Sequence, residues 1–413
     1  MPQETAPESG KRRSKVVFIR GAIPDEKVQV SLYEEKKDYY LADVIAVIDP
    51  SPDRIEPNPR CIGCQLDYIA YERQVAIKEE VLLDSLRRVG GIETKLSDPI
   101  ILKNNIWNYR YRAQLKLGDG KIGFYKERTN EIADTDYSPL LINELNDVLR
   151  KVHKAVHGNP DKFQTIAELH LSYGNGSFAL LKVKPKTKAH EGFWNELAVM
   201  LLDTGLEGVI IETQGTAPAG RLKYGRDSLV LYLDEITYTI SPASFFQANW
   251  RLNQIMVSFV KETLRPLQGK RVLDLYSGAG NFALPLATEA KEVIAIENQK
   301  SAVEDGERNL RLNHIRNVRF FNMPVENYNM SNYGPFDIVI LDPPRSGLAD
   351  KVTGGLLKAK PEQIVYVSCN PSTLARDLKK LSAGYYIDSI MLVDLFPQTY
   401  HIETLTFLKR IKG

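Results

Sequence analysis

VLDLYSGAGNF, residues 272–282, is the stretch from which the fold of this chain can be predicted. An apolar run of strand length enters a turn that carries Gly278 and Gly280, and glycine lets a ligand approach the backbone closely. The next apolar run, EVIAIE, ends in Glu297, which is placed to accept hydrogen bonds from both hydroxyls of a ribose. A plain glycine turn in an α/β domain is the alternative, and Glu297 argues against it.

The spacing within this turn also bears on the ligand. The turn does not spell G-x-G-x-x-G, because Phe282 and Ala283 follow where the third glycine would be, and this argues against a dinucleotide as the ligand. An acid that ends the strand after D-L-x-x-G-x-G makes the stretch similar to class I S-adenosylmethionine-dependent methyltransferases. S-adenosylmethionine is therefore the expected cofactor.

Outward from the turn, apolar runs of strand length alternate with helix-like segments. RVLDLYS, EVIAIE, FDIVILDPP and QIVYVSC all lie after about Ser241. This alternation predicts an α/β fold with a parallel sheet and helices on both faces, that is, a Rossmann-like methyltransferase domain. A length of 413 residues allows two to four domains at about 100–200 residues each. We predict a catalytic domain over 241–413, a mixed α/β central domain over 61–240 and a small N-terminal domain over 1–60.

The N-terminal segment carries three short strand patterns, at residues 15–21, 27–35 and 39–48, followed by a proline-rich linker. This pattern predicts a small β barrel or part of one. The first fifteen residues are polar and are expected to be disordered rather than a signal peptide. No run of about 18 apolar residues occurs, so no membrane span is expected and the cytoplasm is the default location.

Two features lie where the strands of an open α/β sheet should present ligands. Asp342 opens the loop DPPR after the strand FDIVIL, and Cys369 follows the next strand. A lone cysteine is commonly a buried structural residue. Its position at a strand end, after the glycine turn and the DPPR loop, favours a nucleophile.

Together the motifs resemble the RNA uridine-C5 methyltransferases, and the resemblance covers most of the chain. It rests on SFFQANWRLNQIM, DLYSGAGNFALPLA, LDPPRSG, VSCNPSTLARDL and DLFPQTYHIETL, in this order. The resemblance implies that Cys369 is the nucleophile and Glu403 the base. The cofactor-binding residues that it implies, together with the turn and strand arguments above, are Gln247, Tyr276, Gly278, Asn281, Glu297 and Asp342.

The chemistry explains why such a family needs these two side chains. C5 of uracil is a poor nucleophile, and addition of a thiolate to C6 makes C5 reactive. The methylated adduct still holds the C5 proton, so a base must remove it before the thiolate leaves. The target uridine must also be flipped out of its stack to reach the thiolate.

Two departures from the family pattern concern the cysteines and the N-terminus. Relatives of the bacterial ribosomal type hold an iron–sulfur cluster on four cysteines, whereas only Cys61 and Cys64 match here, with Ile55 and Ser138 at the other places. We therefore expect no iron–sulfur cluster and no other metal, and the pair is either free or disulfide-bonded. The N-terminal strands resemble the later strands of an OB-like TRAM domain, and we expect a reduced form of that barrel.

A basic stripe over residues 101–128 is the candidate RNA-binding segment, because Lys and Arg hold phosphates and interleaved aromatic rings stack on bases. Alternating strands with buried aromatics would produce the same pattern. The candidates for RNA binding are Arg110, Arg112, Lys116 and Lys126.

The departures from the family pattern also bear on which RNA is the substrate. The missing cluster and the short barrel make the chain more similar to the archaeal tRNA enzymes that methylate uridine 54 of the T loop, so we expect tRNA rather than ribosomal RNA. A ribosomal RNA uridine is the alternative, and a non-catalytic RNA-binding protein is the alternative of another class. The net charge of +2 excludes none of these. We expect a monomer, because an asymmetric RNA is usually bound one to one.

Overall fold

The N-terminal part of the chain forms a small open sheet in the computed structural model, which describes residues 15–187, 189–213 and 220–412. Its strands are β1 (Val16–Arg20), β2 (Lys27–Glu35) and β3 (Tyr39–Asp49), in the three predicted places. β3 lies in the middle, parallel to β1 and antiparallel to β2. The sheet does not close into a barrel within these described ranges, so the OB-like barrel is not confirmed. Of the fifteen residues predicted to be disordered, residues 1–14 lie outside them.

The helix α1 (Tyr71–Ser85) follows the proline-rich linker. Tyr71 and Val75 pack with apolar residues of the C-terminal part of the chain, and Leu82 is wholly buried there. The helix thus precedes the central sheet in sequence and yet packs on the C-terminal part of the chain. The predicted domain boundaries stay predictions.

The central part of the chain is a seven-stranded sheet covered by helices. Its elements are β4 (Arg112–Gly118), β5 (Lys121–Tyr125), β6 (Ile132–Asp134), α2 (Asn143–Gly158), α3 (Pro160–Phe163), β7 (Ile166–Tyr173), β8 (Ser177–Val183), α4 (Glu191–Leu202), β9 (Gly208–Thr213) and β10 (Gly220–Gly225). The strand order is β10-β9-β8-β7-β4-β5-β6, and only β8 and β9 run parallel. Asp119 and Gly120 both have positive φ, 51° and 71°, as a tight hairpin turn between β4 and β5 requires.

The C-terminal part contains a second seven-stranded sheet with helices on its faces. A hairpin of β11 (Leu229–Leu233) and β12 (Ile236–Ile240) and the helix α5 (Trp250–Leu264) lead into it. Its elements are β13 (Arg271–Leu275), α6 (Ala283–Ala287), β14 (Glu292–Glu297), α7 (Lys300–Leu312), β15 (Val318–Asn322), β16 (Ile338–Leu341), α8 (Asp350–Ala359), β17 (Gln363–Ser368), α9 (Pro371–Leu381), β18 (Tyr385–Val393) and β19 (Glu403–Arg410).

The topology of this sheet places the functional site. The strand order is β15-β14-β13-β16-β17-β19-β18, with β19 antiparallel to both of its neighbours and the remaining pairs parallel. The α/β class is thereby confirmed. The order reverses between β13 and β16, and ligands of open α/β sheets bind at such a point, beyond the carboxyl ends of the strands. Within the part of the chain that the structure describes, no helix is long and apolar enough to cross a lipid bilayer.

A buried ion pair joins α1 to the loop after β18. Lys78 Nζ donates to Asp394 Oδ1 at 2.7 Å and to the Phe396 carbonyl oxygen at 3.0 Å, and the side chains of the pair are 1% and 0% exposed. The Tyr71 hydroxyl also donates a hydrogen bond to Asp394 Oδ2 at 3.0 Å. Burial lowers the pKa of Lys78, and the Asp394 carboxylate opposes that shift. The pair anchors the loop that leads into Glu403.

Replacing one partner of this pair should be costly. Lys78→Met leaves Asp394 buried without its cation, and such a loss typically destabilises a protein by about 3–5 kcal/mol. We expect that decrease in the free energy of unfolding, measured by urea denaturation followed by circular dichroism.

The exposed pair of Arg87 and Asp84 provides the matched control. Arg87→Ala should change the free energy of unfolding by no more than about 1 kcal/mol, because water screens exposed charges. Equal effects of Lys78→Met and Arg87→Ala would contradict the anchoring role of the buried pair.

Candidate active site

Strand register brings Cys369 and Glu403 together at one end of the C-terminal sheet. Cys369 directly follows β17, Glu403 is the first residue of β19, and the antiparallel register pairs Ser368 with Thr404. Cys369 and Glu403 each adjoin that terminal pair, and the Glu403 charge acts on the Cys369 thiol. Both side chains line a cleft of about 900 Å³.

Burial and mutual repulsion shift the pKa values in this cleft. Burial, with the charges of Glu403 and Asp342, raises the pKa of the Cys369 thiol to about 11. Burial and the Asp342 charge also raise the pKa of Glu403 well above its usual value. Asp342 keeps part of its surface open to the cleft, yet the surrounding protein and the Glu297 charge raise its pKa to about 7. A cluster of acids with a thiol has the composition of a proton-transfer site.

The glycine turn after β13 forms another wall of the cleft. The Gly278 amide donates to Glu297 Oε2 at 2.9 Å, and the Gln299 amide donates to Oε1 at 2.6 Å, so the carboxylate is held in place. Gly278 has a φ of 56°, and a Cβ built there would meet no atom within 4 Å. The open space over Gly278 is available to a ligand because glycine carries no side chain.

The structure brings five of the six predicted cofactor-binding residues to this cleft: Gln247, Tyr276, Gly278, Glu297 and Asp342. The sixth, Asn281, lines an adjoining smaller pocket, where its side-chain amide exchanges two hydrogen bonds with Asn253, at 2.8 and 3.0 Å. The buried hydroxyl oxygens of Tyr276 and Ser277 have no hydrogen-bond partner among the described residues. These partnerless hydroxyls and the space over Gly278 fit a polar ligand such as S-adenosylmethionine.

The four predicted RNA-binding residues differ in their contacts. Arg110 lines the cleft, and its guanidinium lies 5.7 Å from the Phe396 ring. Arg112 donates to the Phe246 carbonyl oxygen at 3.3 Å, and burial lowers its pKa to about 10. Lys116 and Lys126 each form an ion pair, with Glu168 and Glu131 respectively. Of the four, Arg110 is the one placed to meet a nucleotide in the cleft.

Sequence reasoning missed a pair of side chains in the cleft. Arg345 Nη2 lies 3.1 Å from His401 Nδ1, and both residues line the cleft beside Cys369. Burial and the Arg345 charge lower the pKa of His401 to about 4, so the imidazole is neutral and accepts a hydrogen bond from the guanidinium. The signal available in the sequence was Arg345 directly after the two prolines of the DPPR loop.

Cys61 and Cys64 form a disulfide in this structure, with their Cα atoms 5.5 Å apart. The sequence left open whether this pair is free or disulfide-bonded, and the structure has the disulfide. The backbone amides of Gln65 and Leu66, just after the pair, donate to the Gln398 carbonyl oxygen at 2.9 and 3.1 Å. The disulfide segment is therefore attached to the loop that leads into Glu403.

Comparison with known protein families gives a match over most of the chain. The family model described as tRNA (uracil-5-)-methyltransferase matches residues 71–411. An uncharacterized RNA methyltransferase of Aquifex aeolicus is 35% identical, over 96% of this chain and 93% of the relative. The 23S rRNA (uracil(1939)-C(5))-methyltransferase RlmD of Shewanella sediminis is 32% identical, over 96% of this chain and 91% of the relative.

A solved structure has the same overall fold. It is the tRNA (uracil-54, C5)-methyltransferase of Pyrococcus abyssi, in complex with S-adenosyl-L-homocysteine. The TM-score is 0.75 at 25% identity, and the alignment covers 96% of each chain. The common fold thus extends over nearly the whole chain.

Proposed function

Because this chain belongs to the tRNA (uracil-5-)-methyltransferase family, we propose that it transfers a methyl group from S-adenosylmethionine to C5 of a uridine in RNA. Cys369 is the proposed nucleophile and Glu403 the proposed base. The observation that carries the proposal is the pairing of β17 with β19, which ends at Ser368 and Thr404 and brings both side chains into one cleft with the glycine turn. A non-catalytic RNA-binding protein would need neither side chain.

Each proposed step can be written for the residues of this chain. The Cys369 thiol gives up its proton to water in the cleft as its sulfur bonds to C6. The electrons of the C5–C6 double bond move toward O4, which makes C5 nucleophilic. Bound S-adenosylmethionine supplies the electrophilic methyl group. Glu403 then takes the proton from C5, the C5–C6 double bond re-forms, and the bond from C6 to sulfur breaks. A carboxylate with a raised pKa is a stronger base, which suits removal of a carbon-bound proton.

Glu297 is proposed to hold the ribose of the cofactor. Its carboxylate already accepts the Gly278 and Gln299 amides, so its position is fixed before the ligand binds. Glu297→Ala removes an ionised acceptor, and two hydrogen bonds to a charged group at about 1.5–3 kcal/mol each correspond to at least about a 100-fold weaker affinity. Calorimetric titration with S-adenosylmethionine measures the dissociation constant.

Glu304→Ala is the matched control for this prediction. Glu304 lies on α7 with its side chain 57% exposed and paired with Lys300. We expect no change in the dissociation constant for this variant. An unchanged constant in Glu297→Ala as well would remove the ribose assignment.

A ribosomal RNA uridine is the first candidate substrate. It is supported by the relatives of 32% identity that are named 23S rRNA (uracil(1939)-C(5))-methyltransferases and that align over 96% of this chain. The preference for tRNA that we expected from the missing cysteines is not supported by these relatives. A tRNA uridine is the second candidate, and the Pyrococcus abyssi structure favours it.

Methyl transfer to unmodified RNA separates the two candidates. The protein is incubated with labelled S-adenosylmethionine and with either 23S rRNA or tRNA transcripts, and the labelled nucleoside is identified. We expect 5-methyluridine in 23S rRNA. Label in tRNA alone would establish the second candidate, and no 5-methyluridine in either RNA would overturn the proposed activity.

The N-terminal sheet is proposed to bind RNA in the manner of a TRAM-like domain. Phe18 and Tyr33 expose 57% and 41% of their surface, and exposed rings can stack on splayed bases. The Arg128 guanidinium lies 4.1 Å from the Tyr33 ring, which adds a cation beside that ring.

A further inference from the structure

Three potential metal ligands meet at the far edge of the central sheet. His153 Nε2 and His157 Nε2 lie 3.0 and 2.9 Å from Asp134 Oδ2, and the three ligand atoms all lie within 4.8 Å of one another. Asp134 ends β6, the edge strand, and both histidines are on α2. None of the three lines the proposed active-site cleft.

The local structure sets the direction of each ligand. His153 and His157 are four residues apart on one helix, so their side chains lie on the same face, with ring centroids 4.3 Å apart. Asp134 Oδ1 accepts a hydrogen bond from the Ile122 amide at 3.0 Å, which turns Oδ2 toward the two imidazoles. A backbone donor that orients a carboxylate in this way is typical of the shell around a bound metal.

We propose that Asp134, His153 and His157 bind a divalent transition-metal ion of the Zn²⁺ type. Two imidazole nitrogens and one carboxylate oxygen suit zinc, copper or nickel, whereas Ca²⁺ and Mg²⁺ require mainly oxygen ligands. The side chains of the two histidines and the aspartate are 21%, 45% and 30% exposed, so water can occupy the remaining coordination position.

The bound metal ion would cross-link the helix α2 to the edge strand β6. β6 has three residues and pairs only with β5 in the sheet. Each imidazole approaches the same carboxylate oxygen through its Nε2 atom. A bound ion would replace these two contacts with two metal–nitrogen bonds and one metal–oxygen bond. An ion that binds the folded state alone stabilises that state.

Titration with Co²⁺ tests the site on the full chain. Co²⁺ takes the place of Zn²⁺ and absorbs visible light when it is bound, and thiolate ligands add a separate charge-transfer band in the near ultraviolet. We expect one equivalent of Co²⁺ to bind without that band. Zn²⁺ should displace it and raise the melting temperature.

The double variant His153→Gln, His157→Gln keeps amide donors for Asp134 and removes both imidazoles. We expect its Co²⁺ affinity to fall at least about 100-fold, since loss even of groups that merely support the ligands costs about 10–100-fold. His314→Asn is the matched control, because His314 is an exposed histidine outside the cluster. Asparagine tolerates the φ of 56° at this position, so the variant should fold and bind Co²⁺ as the wild type does.

Three results would overturn the proposal. The first is undiminished Co²⁺ binding by the folded double variant. The second is a thiolate band, which would assign the ion to a cysteine site such as reduced Cys61 and Cys64 with Asp67. The third is a melting temperature that Zn²⁺ raises equally in wild type and double variant. RNA methylation need not change in any of these experiments.

Discussion

Cys369→Ala is expected to lower kcat/KM for RNA methylation by about 10⁴-fold or more, because loss of a covalent nucleophile removes the reaction path itself. Cys369 is partly buried beside Glu403 and Asp342, and the substitution removes a single sulfur atom from that place. The rate is measured as transfer of labelled methyl groups under single-turnover conditions.

The controls for this variant separate chemistry from folding. Affinity for S-adenosylmethionine should be unchanged in Cys369→Ala, since the proposed ribose ligand Glu297 lies on a different strand. Cys61→Ser with Cys64→Ser removes the other two cysteines of the chain and should retain methylation. Wild-type methylation by Cys369→Ala would reject the covalent mechanism.

Glu403→Gln is expected to stop the reaction after methyl transfer. Glutamine has nearly the shape of glutamate and accepts no proton, so the C5 proton stays and the bond from C6 to the Cys369 sulfur cannot break. Loss of a general base lowers turnover by about 10²–10⁴-fold. The Glu403 charge also raises the pKa of the thiol, so its removal should favour formation of the adduct.

The measurement for this variant is a covalent complex of protein and RNA. It should accumulate in denaturing gels, contain the transferred methyl label, and be absent when Cys369 is also replaced by alanine. Glu362→Gln, at an exposed glutamate paired with Lys270, is the control and should turn over normally. Normal turnover in Glu403→Gln, without a trapped complex, would assign the base to another residue.

Short stretches of the sequence were sufficient to predict the strands, the glycine turn and the family. The runs around residues 272–275, 292–297 and 363–368 are buried strands in the structure, as their continuous apolar character predicted. The family resemblance is confirmed by the match over residues 71–411. These features depend on residues close together in the chain, which is why a sequence pattern reports them.

The basic stripe shows where a local pattern was insufficient. Arg112 and Lys116 are four residues apart on β4 and therefore share one face of the strand, yet their contacts differ. Arg110 reaches the cleft, whereas Lys116 is paired with Glu168 across the sheet. The sequence alone does not show which basic side chains of such a stripe form ion pairs with nearby acidic side chains in the folded protein.

The amino-acid sequence by itself determined the α/β class, the cofactor turn and the identity of the candidate nucleophile and base. The tertiary structure alone decided that Cys369 faces Glu403, that Lys78 anchors Asp394, and that Asp134 meets His153 and His157. The physical reason is the range of the interactions. Apolar periodicity and turn chemistry act over a few residues, whereas strand register and ion pairing join side chains that the chain brings together only when it folds.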